Sequence, residues 1–180
     1  MGVKKMYRQD DISKNFKFNQ YDASIAVRLI EMEETPEAII YFSKVCDKLT
    51  DYAYWYFLST LWVSYTGHSD INLWKRLFSA KRKFKVSSIM KPSELREYNK
   101  LNSNIIAYRA HRKDEKDWIA YTLSLDIAKR FARERDVQTI SQYRIKKKDI
   151  EALFLRRGEE EIILLDKSKA KFIKEVRSEG

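Results

Sequence analysis

Apolar residues recur at helical spacing through the first half of the chain. From Asp22 to Leu49 and again from Thr50 to Val63, large hydrophobic side chains lie three or four residues apart, which places them on one side of a helix. Threonine, serine, aspartate or proline stands at the beginning of each run, as is typical of helix starts. The pattern therefore predicts a helical subdomain over residues 21–100. Its helices are expected to begin near Asp22, Pro36, Asp51, Ile71 and Pro92.

The most aromatic run follows Thr50 and admits two interpretations. Four of its large side chains recur at helical intervals, namely Trp55, Leu58, Trp62 and Tyr65. This spacing indicates one buried helix face. The same density of rings would also suit a surface on which nucleic-acid bases stack. We expect the buried face, since a regular stripe needs no ligand to explain it.

Beyond residue 100 the pattern changes to short apolar runs and to alternation between polar and apolar positions. The segment 137–145 alternates at every second residue, as a strand with one buried face does. One helix is expected in this half, beginning after Ser124 and burying Ala128 and Phe131. The other apolar runs predict strands at 105–108, 118–122, 152–155, 162–165 and 171–176, the last at an edge of the sheet.

The order of these elements predicts an α+β fold. A run of helices followed by a run of strands is typical of proteins whose sheet is largely antiparallel. We expect residues 101–180 to form this β-rich core and to make one compact unit with the helical subdomain. Residues 1–20 are polar and of mixed charge, so we expect them to be a flexible arm.

The amino-acid composition excludes several kinds of binding site. Of 180 residues, 4 are glycine (Gly2, Gly67, Gly158 and Gly180), so neither a dinucleotide-binding glycine fingerprint nor a phosphate-binding P-loop is present. The 2 histidines stand alone and form no zinc motif, so no metal is expected. The single cysteine, Cys46, excludes an internal disulfide and favours a reducing, cytoplasmic location. No run is apolar enough for a membrane span, and the N-terminus lacks the apolar core of a signal peptide.

The net charge of +10 and the pI of about 9.5 favour a polyanionic partner, such as nucleic acid, a phosphate-bearing ligand or an acidic protein. One cationic stretch, interleaved with Phe78 and Phe84, is a candidate surface for such a partner. Its cations are Lys75, Arg76, Lys81, Arg82, Lys83 and Lys85. A solvated basic helix face explains the same stretch equally well.

Three segments of the second half place polar or charged residues at the edge of an apolar run. Segment 105–109 ends on an arginine, segment 120–132 opens with hydroxyl-bearing residues, and segment 157–165 begins with glutamates. An arginine can bind a pyrophosphate through two parallel hydrogen bonds. We expect the three edges to meet around one phosphate-bearing ligand.

In order and spacing, these segments resemble the mono-ADP-ribosyltransferases of the arginine–serine–glutamate class, in particular small bacterial and phage members. The matching residues are Tyr108-Arg109-Ala110, Ala120-Tyr121-Thr122, Ala128-Lys129-Arg130-Phe131-Ala132 and Glu159-Glu160-Glu161-Ile162-Ile163. The resemblance covers about residues 100–165. It implies a split, largely antiparallel β-sheet with one motif helix. It also implies transfer of ADP-ribose from NAD, which is consumed as a substrate, to a macromolecular acceptor, either protein or nucleic acid.

The resemblance further implies a role for each matched side chain. Glu161, directly before the apolar strand, would stabilise the ribose cation that forms as the nicotinamide–ribose bond breaks. Glu159 would orient or deprotonate the acceptor, and Arg109 would bind the pyrophosphate. Thr122 would hold the ribose or Glu161. The other cofactor-binding candidates are Tyr108, Tyr121, Phe131 and His111.

The chain departs from the family pattern at two positions. Ala120 stands where the family has a serine that steadies the catalytic glutamate, and Ala110 replaces the glycine after the arginine. The alternative is therefore a catalytically degenerate fold that serves as a basic binding module for nucleic acid or a host protein. A second alignment is open too, in which His111, Tyr121 and Glu161 match the histidine–tyrosine–glutamate class of the same superfamily. In a phage-type member, the acceptor would belong to the host machinery.

Overall fold

The computed structural model describes residues 11–65 and 67–178, and the first part of this range is helical. Its helices are α1 (Gln20–Glu31), α2 (Pro36–Val45), α3 (Asp51–Ser64), α4 (Ile71–Phe78), α5 (Lys85–Ile89) and α6 (Pro92–Lys100). The five predicted helix starts are confirmed to within two residues. The short helix α5 was not predicted, because its sequence, Lys-Val-Ser-Ser-Ile, has neither the length nor the apolar spacing of an amphipathic helix.

Among the expected helix caps of the first half, Thr50 and Asp70 act as predicted and Thr35 does not. Thr50 accepts a hydrogen bond from the backbone N–H of Ala53 (3.3 Å), and Asp70 accepts one from Asn72 (2.8 Å). Thr35 makes no such bond with α2, since its hydroxyl donates to the carbonyl of Met32 (2.7 Å). The start of α2 therefore depends on Pro36, whose fixed φ suits the first helical position.

The second half forms one six-stranded sheet in the order β4-β5-β2-β1-β3-β6, in which every pair is antiparallel. The strands are β1 (Asn104–Arg109), β2 (Ala120–Thr122), β3 (Thr139–Lys146), β4 (Ala152–Phe154), β5 (Glu161–Ile163) and β6 (Lys171–Arg177). Helix α7 (Leu125–Glu134) connects β2 to β3. The α+β class, the antiparallel sheet and the edge position of β6 are confirmed.

The register brings the three sequence segments together in the middle of the sheet. Tyr108 of β1 pairs with Thr122 of β2, and Thr122 pairs with Glu161 of β5. Among the described residues, the Tyr108–Thr122 pair is the single register pair between β1 and β2, whereas β1 and β3 are paired along six positions. Arg109 directly follows Tyr108, so the arginine and the glutamate lie near the same point of the sheet.

Two buried clusters hold the sheet in place. The larger one joins the helical region to the sheet and contains Trp55, Phe42 and Ile162, all fully buried. The smaller one lies under α7, where Ala110, Ala128 and Ala132 pack with Ile140. The shared larger cluster makes the helices and the sheet one packed body.

The N-terminal segment was predicted to be a flexible arm over residues 1–20. Residues 1–10 lie outside the described part of the chain. Residues 11–19 are bound to the helices: Asp11 accepts hydrogen bonds from the backbone and hydroxyl of Ser93 (2.7 and 2.6 Å), and Asn15 donates to the Ser87 hydroxyl (2.6 Å). These contacts tie Asp11 and Asn15 to the helical region, whereas the flexibility of the arm stays a prediction. Across residues 11–65 and 67–178, no helix is both long and apolar enough to cross a membrane.

Candidate functional site

A cavity of about 1020 Å³ opens where β1, β2 and β5 face the end of α3 and the loop after β1. It is lined by most of the candidates from the sequence, together with residues that the sequence did not single out. The predicted residues are Tyr108, Arg109, Tyr121, Thr122, Phe131, Glu159 and Glu161. The additional ones that bear on the chemistry are Trp62, Glu115, Trp118, Arg135 and Arg157.

Arg109 is held from two sides. Its Nε donates to Glu115 Oε2 (3.0 Å) and its Nη2 donates to Glu115 Oε1, which is a bidentate ion pair. Its Nη1 donates to the carbonyl of Ala120 (2.6 Å) on the neighbouring strand. Both side chains of the pair are 10% exposed. The guanidinium has five N–H groups, and one on each terminal nitrogen remains for a ligand.

Glu115 is the centre of a buried charge network. It also contacts His111 Nδ1 (3.0 Å), and because a carboxylate only accepts, that nitrogen is the donor. Nε2 of the same ring lies 2.7 Å from the Tyr143 hydroxyl. Burial works to raise the pKa of Glu115, but the hydrogen bonds from His111 and Arg109 outweigh it and lower the pKa to about 2.

The low pKa of Glu115 predicts a contribution to acid stability. The contribution is complete above the ordinary pKa of 4.5 and is lost as the pH falls toward about 2. We expect the free energy of unfolding to drop by about 3 kcal/mol through this group alone. Urea titrations at several pH values measure it, and Glu115→Gln should flatten the acid limb. Asp114→Asn, an exposed change in the same loop, should keep the wild-type slope, and equal slopes in both variants would contradict the assignment.

Glu161 is enclosed in the cavity wall, with its side chain 15% exposed. Its Oε1 accepts a hydrogen bond of 2.6 Å from the indole Nε1 of Trp62 on α3. Arg157 Nη2 lies 3.8 Å from Oε2. Burial raises the pKa of Glu161, and the charge of Glu159 adds to this, while Trp62 and Arg157 act in the opposite direction.

Glu159 and Glu161 share one arginine. Arg157 Nη2 lies 2.7 Å from Glu159 Oε2, and Arg130 Nη2 lies 3.5 Å from Oε1. The other terminal nitrogen of Arg157, Nη1, is buried and has no hydrogen-bond partner among the described residues. The turn before β5 is fixed by Gly158, which adopts a left-handed φ of 69° that favours glycine.

Thr122 has a different role from the one expected. Its hydroxyl donates to the carbonyl of Glu159 (2.7 Å) and accepts from the backbone N–H of Ser124 (3.1 Å), and the residue is 4% exposed. The hydroxyl is thus engaged with the backbone instead of facing a ribose. Thr122 fixes the segment that carries the glutamates and the turn that starts α7.

The aromatic candidates form part of the cavity wall. The Tyr121 hydroxyl accepts a hydrogen bond from Trp118 Nε1 (2.9 Å), and burial raises the pKa of Tyr121 to about 12, so its hydroxyl stays protonated. The ring of Phe131 lies under the guanidinium groups of Arg130 and Arg135, at 5.2 and 4.9 Å. Both rings give the cavity an apolar side suited to a flat ligand.

His111 belongs to the network behind the cavity, and not to its wall. It packs against Trp118, with ring centroids 4.2 Å apart, and bonds to Glu115 and Tyr143. The cavity lining includes Arg109 but does not include His111.

Ala110 and Ala120 each have a defined setting in the structure. The methyl group of Ala110 is buried against Ala128 and Ala132, so it packs under α7. The carbonyl of Ala110 accepts a hydrogen bond from Arg135. Ala120 offers no hydroxyl, and the donor to Glu161 comes from Trp62 instead.

The six cations of the basic stretch do not form one free patch. Lys75 pairs with Asp117 (2.6 Å), and Lys85 pairs with Glu151. Arg82 donates to the carbonyls of Cys46, Asp47 and Leu49, where it closes the end of the α2 segment. The remaining three are exposed and form no ion pair within the described residues: Arg76, Lys81 and Lys83.

The helical spacing of Trp55, Leu58, Trp62 and Tyr65 predicts one buried stripe. Trp55 and Leu58 are fully buried, whereas Trp62 and Tyr65 are half-buried and line the cavity. The side chains in the first turns of this stripe therefore belong to the core, and those at its end form part of the cavity wall. The sequence did not single out Glu115, because it lies in a polar loop of mixed acidic and basic residues.

In comparisons with models of protein families, with curated proteins and with solved structures, nothing matches this chain. Its own geometry therefore carries the functional argument. Over residues 11–65 and 67–178, no group of three or more His, Cys, Asp or Glu side chains is arranged to hold a metal ion.

Proposed function

We propose that this chain transfers ADP-ribose from NAD to a macromolecular acceptor. The observation that carries the proposal is the convergence of Arg109, Glu159 and Glu161 on one cavity. These residues come from separate segments, and the sheet register brings the segments together. The cavity joins cations, aromatic rings and a pair of carboxylates, which are the groups that a dinucleotide and its cleavage require.

The cavity suits a dinucleotide in size, and its lining includes cations. Its volume of about 1020 Å³ is at the upper end of the roughly 300–1,000 Å³ of small-molecule sites. Arg109 retains an N–H on each terminal nitrogen for a pyrophosphate oxygen. Arg112, Lys113 and Arg135 line the same cavity and are available to phosphate oxygens, although Asp114, Glu115 and Glu134 also line it.

The chemistry assigns a distinct task to each glutamate. When the bond between nicotinamide and ribose breaks, its electron pair leaves with nicotinamide, whose ring loses its positive charge. The anomeric carbon becomes an oxocarbenium-like centre, and the ionised carboxylate of Glu161 stabilises it. A nucleophile of the acceptor then forms a bond to this carbon, and Glu159 takes up the proton that the nucleophile loses.

The alternative, a basic binding module without NAD chemistry, has less support. Three of the six cations in its candidate surface, Lys75, Arg82 and Lys85, are engaged inside the protein. A binding module would give salt-sensitive association with nucleic acid or an acidic protein. It would not be stabilised by NAD, so a thermal shift with NAD separates the two functions.

The direct test is incubation of the purified protein with NAD labelled in the adenylate phosphate, with and without bacterial lysate. We expect release of nicotinamide, transfer of label to an acceptor in the lysate, and a rise in Tm with NAD. Boiled protein is the control for non-enzymatic labelling. Absence of nicotinamide release, of transfer and of a thermal shift would together reject the proposal.

A further inference from the structure

The helical region contributes a side chain to the candidate site. Trp62 lies in the last turn of α3, and its indole N–H donates to Glu161 Oε1 at 2.6 Å across a separation of 99 residues in the sequence. Its neighbour in the site, Glu161, begins β5 in the sheet. This contact therefore joins the helices to the carboxylate at the centre of the cavity.

The indole of Trp62 is held in a fixed position. Its ring meets Trp74 edge-on at a centroid distance of 5.0 Å and Phe78 at 5.7 Å. Both partners are almost fully buried, at 2% and 0% exposure. A donor that is locked by packing constrains the direction of the group that accepts from it, because hydrogen bonds weaken steeply away from linearity.

Few other groups hold the carboxylate of Glu161. Arg157 Nη2 lies at 3.8 Å, beyond hydrogen-bond distance, and it binds Glu159 more closely at 2.7 Å. Glu159 itself repels a negative charge on Glu161, and Arg109 attracts it from farther across the cavity. Ala120, on the neighbouring strand, offers no hydroxyl. Among the described residues, Trp62 is the one hydrogen-bond donor to this side chain.

We propose that Trp62 is a positioning residue, which fixes the orientation of the Glu161 carboxylate through its indole N–H. Its catalytic consequence depends on the function proposed above, whereas the hydrogen bond itself does not. A hydrogen bond to a carboxylate also favours the charged form, which is the form that stabilises a sugar cation. The helical region is thus required to complete the site, in addition to its role in packing.

The test compares Trp62→Phe with Trp55→Phe on the same helix. Phenylalanine keeps an aromatic ring at each position and removes the indole N–H. Trp55 donates to the carbonyl of Lys83 at 3.0 Å and does not line the cavity.

In Trp62→Phe we expect kcat for nicotinamide release to fall about 10- to 100-fold, from loss of one charge-assisted hydrogen bond. The KM for NAD should change little, and the acid limb of the rate profile should move to higher pH. Trp55→Phe should match the wild type per folded molecule, and Trp62→His, with a ring N–H, should recover part of the rate.

A second measurement keeps the inference testable without activity. The side-chain carboxyl carbon of Glu161, assigned by its loss in Glu161→Gln, can be titrated by ¹³C NMR in wild type and in Trp62→Phe. A midpoint at higher pH in the variant supports the inference even if the wild type does not cleave NAD, in which case the proposed function alone fails. An unchanged midpoint, or an active wild type with the same kcat and pH profile in Trp62→Phe, overturns the inference.

Discussion

Replacement of Glu161 by glutamine is expected to lower the rate of nicotinamide release by roughly 10²- to 10³-fold, as when one electrostatic stabiliser of a transition state is removed. The amide keeps the shape of the side chain, and its oxygen can still accept the indole N–H of Trp62. It cannot supply the negative charge that a developing sugar cation requires. Initial rates of nicotinamide release, with near-UV circular dichroism as the check on folding, measure the effect.

The adjacent residue provides the matched control. Glu160 is exposed, does not line the cavity, and its replacement by glutamine removes the same unit of charge. We expect Glu160→Gln to retain the wild-type rate. If Glu160→Gln and Glu161→Gln lose activity equally, the effect is one of net charge, and the assignment of Glu161 is wrong.

Replacement of Glu94 by alanine is expected to cost about 3–5 kcal/mol of folding free energy, which is typical when one partner of a buried ion pair is removed. Glu94 is almost fully buried, and its carboxylate accepts from Arg156 Nε and Nη2, both at 3.1 Å. It also accepts from the backbone N–H groups of Leu155 (2.9 Å) and Lys91 (2.8 Å). Alanine would leave four donors without this acceptor, and Arg156 would remain a buried, unpaired charge.

For a chain of this size, that loss lowers Tm by roughly 6 to 20 °C. Thermal melts and urea titrations at neutral pH measure it. Glu97→Ala is the control on the same helix, because Glu97 pairs with Lys100 at the surface, where the side chains are 49% and 70% exposed. Such a pair contributes at most about 1 kcal/mol. Similar losses in the two variants would show that Glu94 does not act through its buried contacts.

The fold was predictable where its determinants are local. Helix starts at Pro36, Asp51 and Pro92 depend on capping and on proline geometry within a few residues, and the structure places them as expected. The period of two along 137–145 identified the strand β3 but not its buried residues, since Thr139 is exposed, Ile140 is buried and the register shifts between Gln142 and Tyr143. Helix α5 was not predicted because a helix of five residues is too short to show a helical period.

The sequence predicted several of the residues that line the cavity. It did not predict the side chains that hold those residues in place. Arg109, Glu159 and Glu161 were found because each stands at the end of an apolar run, and strand register then brings such ends together. Glu115 and Trp62, which hold Arg109 and Glu161, reach them through tertiary packing. The local sequence of a polar loop or of an aromatic stripe does not indicate which distant side chain it will contact in the folded protein.

Arg109 connects the two halves of the sheet and is also a candidate ligand-binding residue. Among the described residues, strands β1, β3 and β6 meet strands β2, β5 and β4 at one backbone register pair, Tyr108 with Thr122. Arg109 lies on the first side, in β1, and Glu161 lies on the second, in β5. Next to this pair, the side chain of Arg109 spans the gap and donates to the carbonyl of Ala120 at 2.6 Å. Substitution of Arg109 therefore loosens the two halves of the sheet in addition to removing a cation. A ligand that binds the guanidinium would therefore also act on the contact between β1 and β2.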